Sequence, residues 1–314
     1  MSLPSIAVIT GGIGSERAVS LKTGTQVYTS LAKCFPTTWI ELHADLGLYG
    51  SQGEQYTWQG LQNFDFVYIA IHGAYGEDGK IQSLLEAQGI EYNGSSSQVS
   101  TITIDKYLTQ TLVGEHGIDT PQTAYYQPGD TIDTNKFSFP VVIKPNAEGS
   151  SIGVSVAHNH AELGKALQSQ PDTALLIQEY ITGQEFSCGV MKNLDQDPLY
   201  TLPPVEIITS DGNFDYQAKY QSQTTQEICP PDISSALSQR IIDQATAVHE
   251  ILGCRGLTRS DFRYDATQDR LVFLEINTIP GQTQSSLAPQ EAQAVGVDFD
   301  TFIQDQVHLG QSNT

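Results

Sequence analysis

The short apolar run SIAVIT, stopped by Gly11 and Gly12, constrains this chain more than any other stretch. Strands buried on both faces read as continuous apolar runs rather than alternating ones. The following segment, ERAVSLKTGTQVYTSLAK, has helical spacing at Val19, Leu21, Val27 and Leu31. A second buried strand, FDFVYIAI, leads into HGAYGEDG and then a helix, GKIQSLLEAQG, with a glycine stop. Strand, glycine turn and helix in alternation predict parallel βαβ units, in which function concentrates at the carboxyl ends of the strands. Two loops fall there, GGIGSER and HGAYGEDG. The first looks like a phosphate-binding glycine turn ahead of a helix, yet it carries a carboxylate, Glu16, that would compete with a phosphate.

From about Ser95 the pattern changes. IDKYLTQTLVGEHG predicts a helix, FPVVIKP a strand, NAEGSSIG a small-residue loop, VSVA a short strand, HAELGKALQ a helix and LLIQEY a strand. Together they predict a small mixed α/β lobe. Beyond about Gly189, GLTRSDFRYDATQDRLVFLEINT predicts a hairpin around a polar turn. AKYQSQTTQEICPP, with Lys219 and Tyr220, reads as a long loop of the kind that forms lids. QEAQAVGVDFDTFIQDQV reads as a helical tail. The 314 residues leave room for more than one domain. The expected division is 1–94, 95–188 and 189–314.

A formal net charge of −21 argues against wrapping a polyanion, since release of counterions needs clustered Lys and Arg. Cys34, Cys188, Cys229 and Cys254 show no metal or disulfide spacing and are expected to be buried free thiols of a reducing compartment. No apolar run approaches the roughly 18 residues of a membrane span, and MSLPSIAVIT lacks the regions of a signal peptide. The expectation is a soluble cytoplasmic protein with neither nucleic-acid nor membrane partners.

In so acidic a chain the placement of polar residues in apolar stretches is informative. Arg259 and Asp261 share one strand face, as do Glu275 and Asn277, and a hairpin brings the pairs together. Asp, Glu and Asn are hard oxygen ligands suited to magnesium. The solvated outer face of a hairpin alternates in the same way, so the pattern alone leaves both readings open. Lys144 ends an apolar strand before a Gly/Ser loop whose backbone N–H groups suit phosphate oxygens, and Lys106 borders the same lobe. Together they suggest a polyphosphate; ordinary surface lysines beside a flexible loop are the other reading. His72 on its own reads best as a packed core histidine, with ligand or base as alternatives.

Taken together, the stretches GGIGSERAVSLKTG, HGAYGEDGKIQSLLE, DKYLTQ, VVIKPNAEGSSIGVS, EYITGQEF, DYQAKYQSQTTQEICP, GLTRSDF and LEINTIPGQTQSSLAP closely resemble the D-alanine–D-alanine ligases of the ATP-grasp superfamily, in family order. The resemblance implies an α/β, three-lobed ATP-grasp architecture: an N-terminal parallel-sheet βαβ domain, a small mixed α/β central lobe and a C-terminal α+β domain. It implies ATP as co-substrate with two Mg2+ or Mn2+ ions, D-alanine as substrate, and a homodimer. By position, Lys106 and Lys144 resemble the ATP-phosphate lysines, and Glu148, Gly149, Ser150 and Ser151 the flap over the phosphates. Glu185 resembles the ribose acid, with Gln178, Glu179, Tyr180 and Ile181 near the adenine. Asp261, Glu275 and Asn277 resemble the metal ligands, and Arg259 with the backbone of Gly281 the oxyanion site. Ser286 and Leu287 resemble the holders of the second substrate's carboxylate, and His72 lies in the first-substrate motif. Lys219 resembles a lid residue that meets both ATP and substrate. Glu16 matches the acid that holds the ammonium of the first D-alanine, with Ser150 and Tyr220 linking it to the lid. The GGIG turn is then a substrate site, which explains its carboxylate.

There are departures. Gly14 stands where the family usually has Ser, and Gln282 where it usually has Met. Gln178 stands where an acid often accepts the adenine amino group, which predicts looser nucleotide preference, since an amide can turn to present donor or acceptor. The rival readings are a D-alanine–D-serine or D-alanine–D-lactate ligase, a catalytically inactive nucleotide-binding homologue, and a nicotinamide-dependent dehydrogenase. Tyr220 within AKY argues against the lactate type, the intact Arg259, Asp261, Glu275 and Asn277 against an inactive homologue, and the lack of a full G-x-G-x-x-G against the dehydrogenase.

Overall fold

A computed structural model describes residues 3–133, 136–194, 196–208 and 225–311, and contains three sheets. The first is formed by β1 (Ile6–Gly11), β2 (Thr37–Leu42), β3 (Leu48–Gly50), β4 (Gln55–Tyr56) and β5 (Phe66–Ile69), in the order β4-β3-β2-β1-β5. β1 runs parallel to both β2 and β5, and β3 and β4 add antiparallel edges. Side chains of β1 alternate between two cores. Ile6 and Val8 pack with Val27 and Leu31 of α1 (Arg17–Leu31), while Ala7 and Ile9 pack with Ile81 and Leu85 of α2 (Lys80–Glu86). Burial of both faces is why SIAVIT shows no alternation. Helix α1 lies so close to β1 that a Cβ on Gly24 would fall 2.3 Å from Thr10 Oγ1.

A four-stranded antiparallel sheet follows: β6 (Thr123–Tyr126), β7 (Val141–Pro145), β8 (Ser155–Ala157) and β9 (Leu175–Glu179), in the order β6-β9-β7-β8, with α5 (His160–Ser169) packed on it through Leu163. The third sheet joins β10 (Gln184–Lys192), β11 (Val205–Ile208), β12 (Gln226–Ile228), β13 (Gly256–Asp265) and β14 (Arg270–Asn277), all antiparallel, in the order β12-β11-β10-β13-β14. One face is covered by α6 (Ser235–Ile251) through Ile241, Ala245 and Val248.

Two helices from the middle of the chain join that same core. α3 (Ser97–Ile104) and α4 (Lys106–Glu115) contribute Val99, Ile102, Leu112 and the fully buried Val113 to the cluster around Phe262 and Phe273. Burying a valine side chain is worth roughly 1.5–3 kcal/mol, so α4 is anchored to the third sheet rather than to the small one. β10 runs through the expected division between residues 188 and 189.

The helical tail is two helices, α7 (Leu287–Ala294) and α8 (Phe299–Gln311). Gly296 has a positive φ of 87°, and Asp298 accepts from the Thr301 N–H at 3.0 Å to cap the second helix. Part of the expected long loop is the edge strand β12, which pairs with β11. Cys34 is exposed, contrary to expectation, while Cys188 and Cys254 are buried and Cys229 is half-buried. No helix among the described residues is long and apolar enough to cross a membrane.

Candidate active site

The small sheet and the open face of the third sheet enclose a cleft of about 430 Å³. Its floor is the β13–β14 hairpin. In that register Arg259 lies opposite Asn277 and Asp261 opposite Glu275, so the two shared-face pairs expected from the sequence meet. The Arg259 guanidinium forks onto Asp261, Nε to Oδ1 at 3.0 Å and Nη2 to Oδ2 at 2.9 Å. Asp261 also accepts from Ser187 Oγ at 2.6 Å and from the Asn277 amide at 3.5 Å. A register shift just after Asp261 marks a bulge, a device that re-aims side chains at such places.

Two lysines face this floor. Lys106 Nζ lies 3.7 Å and Lys144 Nζ 4.0 Å from Glu275 Oε2. Lys106 opens α4, where Asp105 caps the helix by accepting from Leu108 N at 2.9 Å. Lys144 ends β7. Burial pulls the Lys144 ammonium down to about 8; Glu275, Asp261 and Glu185 oppose that shift and Lys106 adds to it. Asn146 joins the two elements: its carbonyl accepts from Lys106 N at 3.1 Å and its side-chain oxygen from Tyr107 N at 2.9 Å. Asp261, Glu275 and the Asn277 amide offer hard oxygens on one surface opposite two ammonium groups. This donor set fits magnesium or manganese bridging a polyphosphate. Among the described residues no group of three or more His, Cys, Asp or Glu side chains is placed to hold a metal ion, and the set here has two carboxylates with the Asn277 amide as the third oxygen donor.

At the far end of the cleft, Gln178 donates its amide N–H to Gln110 Oε1 and Thr123 Oγ1, both at 2.7 Å. The hydrogen-bond network thus assigns its amide nitrogen inward and leaves its oxygen for the cleft. The rotation expected from the sequence would break both bonds. Glu179 turns its side chain to Gln122 N and Arg270, each at 3.1 Å, so this acid is engaged outside the cleft while its backbone lines it. Tyr180 and Ile181 complete that wall. Glu185 reaches the cleft and pairs with Arg263 at 2.8 Å. Arg263 was not foreseen; its in-register position opposite Glu185 across β10 and β13 appears only once the strands pair.

The loop over the cleft bends sharply. Ser150 and Ser151 have φ of 52° and 55°, uncommon for residues with a Cβ. This bend carries the Glu148 carbonyl to Lys106 Nζ at 2.6 Å and the Ser150 hydroxyl onto Glu16 Oε1. Glu148 and Ser151 also line the cleft.

Glu16 occupies the helix-capping position of α1 but makes no side-chain capping bond. Its carboxylate sits instead between two glycines: a Cβ would lie 2.5 Å from Oε2 at Gly73 and 2.7 Å at Gly149. His72 is buried beside it, with Nε2 at 2.8 Å from Thr23 Oγ1 and Nδ1 donating to the Ile279 carbonyl at 2.9 Å. Burial lowers the His72 pKa, but Glu77, 3.6 Å away, and Glu16 outweigh it and hold the imidazole above its ordinary value. Burial raises the Glu77 carboxyl, His72 counteracts and Glu16 adds to the rise. Glu77 stands in HGAYGEDG; its part in the pocket was not read from the sequence.

The turn after β14 brings in the remaining candidates. A Cβ on Gly281 would meet Ser286 Oγ at 2.9 Å, and that hydroxyl accepts from Thr283 N at 3.0 Å. Ser286 precedes α7 and Leu287 opens it, which sets hydroxyl and backbone N–H groups at a helix start suited to a carboxylate. Lys219 and Tyr220 lie outside the described residues.

The family described as D-ala D-ala ligase C-terminus matches residues 126–308, and D-ala D-ala ligase N-terminus matches residues 48–95. The D-alanine–D-alanine ligase of Carboxydothermus hydrogenoformans is 36% identical over 97% of this chain and 97% of its own. That of Syntrophotalea carbinolica is 37% identical over 95% and 93%. The Bacillus anthracis D-alanine–D-alanine ligase complexed with ATP superposes with a TM-score of 0.82 at 27% identity, over 98% of both chains. The VanG D-Ala:D-Ser ligase of Enterococcus faecalis superposes with a TM-score of 0.85 at 27% identity, over 98% of this chain and 100% of that one.

Proposed function

Since the chain belongs to the D-alanine–D-alanine ligase family, we propose that its cleft joins two D-alanines through an acyl phosphate. The chain is an ATP-dependent ligase with an ATP-grasp fold, and its product is D-alanyl-D-alanine for peptidoglycan synthesis.

One observation carries the course of the reaction: Asp261, Glu275 and Asn277 share a surface with Arg259, and Lys106 and Lys144 face it. A carboxylate acylates poorly until it is phosphorylated. A carboxylate oxygen of the first D-alanine attacks the γ-phosphorus of ATP and ADP leaves, with Lys106 and Lys144 offsetting charge on the phosphates. Asp261, Glu275 and Asn277 would hold magnesium or manganese, and the bound ion would supply further offset of that charge. The amine of the second D-alanine, having lost a proton, attacks the acyl carbon. Arg259 and the Gly281 N–H stabilise the tetrahedral oxyanion, which collapses to the amide and expels phosphate. Glu16 binds the first ammonium by charge-assisted hydrogen bonding, and Ser286 with the Leu287 N–H binds the second carboxylate. Exclusion of water from the acyl phosphate is the role assigned to Lys219 and Tyr220. Gln178, Tyr180 and Ile181, with the Glu179 backbone, receive the adenine, and Glu185 the ribose. A three-lobed organisation, with the boundary expected at 188/189 moved off β10 and α3 and α4 packed on the third sheet, a cytoplasmic location and a homodimer complete the reading.

The test combines ATP, Mg2+ and a panel of D- and L-amino acids and D-lactate, reading phosphate release and product mass, with hydroxylamine to trap the acyl phosphate as a hydroxamate. D-alanyl-D-alanine and a D-alanine hydroxamate are expected. A preference for D-serine or D-lactate at the second position would reassign the substrate, and ligation without a trappable acyl phosphate would contradict the proposed course. Glu16→Gln should raise the KM of the first D-alanine with little change for ATP; equal losses for both would make GGIGSER a phosphate loop.

A further inference from the structure

The turn that carries Gly281 is held from outside its own lobe. His72 donates to the Ile279 carbonyl at 2.9 Å, and Gln26 on α1 accepts from Gln284 N at 2.8 Å. Between these contacts the Tyr68 hydroxyl, on β5, donates to the Gln282 side-chain oxygen. In this third contact both partners are side chains and both are sealed from solvent: Tyr68 is 0% and Gln282 1% exposed. The Tyr68 ring sits in an apolar cluster shared between the parallel sheet and the third sheet, with Val8, Met191, Leu257 and Ala292. A polar pair in such surroundings is favourable only while each group keeps its partner, so the pair has one arrangement.

Gly281 is where a single arrangement matters. The oxyanion site uses its backbone N–H, yet glycine has the widest backbone freedom and no side chain by which to be held. Its direction must come from its neighbours. Pro280 restricts the chain on one side. On the other side stands Gln282, whose amide is held by its hydrogen bond to Tyr68, where a thioether of similar length would fill the volume without fixing direction.

We propose that Tyr68 and Gln282 form a positioning pair that aims the Gly281 N–H at the oxyanion; this rests on the role given to Gly281 above. Neither residue touches substrate. The pair acts on the second half-reaction, in which the tetrahedral adduct forms, and it ties that step to the strand leading into the first-substrate loop.

The experiment is a double-mutant cycle of Tyr68→Phe, Gln282→Met and the double variant in the full-length enzyme. It reads kcat, the KM of ATP, the affinity of a phosphinate analogue of the tetrahedral adduct, and Tm. Each single variant should lose about tenfold in kcat and in phosphinate affinity, with the KM of ATP within about twofold. The double variant should be no worse than either single one, because the second change removes a group that has already lost its partner. Single variants with lowered Tm but wild-type kcat and phosphinate affinity would overturn the proposal, as would losses in kcat that multiply in the double variant. Wild-type ligation, measured alongside, tests the functional reading separately: its absence overturns that reading and the pair's role with it.

Discussion

Replacing Arg259 with alanine removes both arms of the fork on Asp261. Two hydrogen bonds to a charged group at roughly 1.5–3 kcal/mol each give about 3–6 kcal/mol. Breaking a buried ion pair by deleting one partner costs about 3–5 kcal/mol. Asp261 keeps the Ser187 hydroxyl at 2.6 Å and the Asn277 amide at 3.5 Å, which places the loss at the lower end. With about 3 kcal/mol lost and roughly 2 °C per kcal/mol for a long chain, Tm should fall by about 6 °C. Mg2+ should restore more of the Tm in Arg259→Ala than it adds to the wild type, because an uncovered carboxylate gains more from a cation than one already forked by a guanidinium. Turnover should fall by about 10² or more with little change in the KM of ATP. The assays are thermal melts with and without Mg2+ and steady-state phosphate release. A Tm loss under about 2 °C, or equal Mg2+ shifts in both proteins, would refute the account of the fork. A variant whose only defect is weaker ATP binding would refute the role of the side chain.

Other outcomes follow from the same geometry. With a pKa of about 8, Lys144 is mostly protonated at pH 7 and mostly neutral at pH 9, and the protonated form binds phosphate; ATP affinity in EDTA should therefore fall about tenfold across that window. Lys144→Met should bind weakly with no such slope, and a flat wild-type profile by calorimetry would contradict the assignment. Burial holds the Glu291 carboxyl well above its ordinary value, despite the Gly189 N–H at 2.8 Å and nearby Arg259. An acid with a raised folded pKa costs stability as pH climbs past its unfolded value near about 4.3. The Tm advantage of Glu291→Gln over the wild type should accordingly grow from pH 5 to pH 8; a constant difference would show that the acid is not held neutral. Gln178→Glu should cost stability and leave the ATP/GTP ratio of kcat/KM unchanged, because the wild-type amide already presents its oxygen to the cleft; a clearly raised ratio would mean that the amide turns.

The groups brought together in the candidate site were legible where they lie on regular strands or in glycine-marked loops. Asp261, Glu275 and Asn277 follow the two-residue period of a strand, and one hairpin suffices to bring them together. SIAVIT and FDFVYIAI were legible because continuous apolar runs have few other uses. TTWIEL was missed: Thr37, Thr38 and Glu41 dilute its pattern, and only Ile40 and Leu42 of the strand are buried. Arg263, Glu77 and Tyr68 were missed as site residues for another reason. Arg263 and Tyr68 acquire their roles from partners distant in sequence, Glu185 and Gln282 in turn, and Glu77 acquires its own from burial beside His72 and Glu16. The orientation of the Gln178 amide was not legible because it depends on Gln110 and Thr123, far away along the chain.

The two lysines that face Glu275 belong to different mechanical bodies. Lys106 begins a helix whose far end is rooted, through Val113, in the core of the third sheet, whereas Lys144 rides on the small sheet. Asn146 joins them with two hydrogen bonds, at 3.1 and 2.9 Å, just beyond β7. A rigid tilt of the small sheet about Asn146 would carry off Lys144 and Ser150 and leave Lys106 with the carboxylates. On the proposed reading, half of the phosphate grip is thus mounted on the anvil and half on the jaw. A nucleotide would be loaded onto the fixed half before the other half arrived, and the same stroke that delivered Lys144 would bring the Ser150 hydroxyl to Glu16. Capture of the nucleotide and sealing of the first amino-acid pocket would then be a single movement.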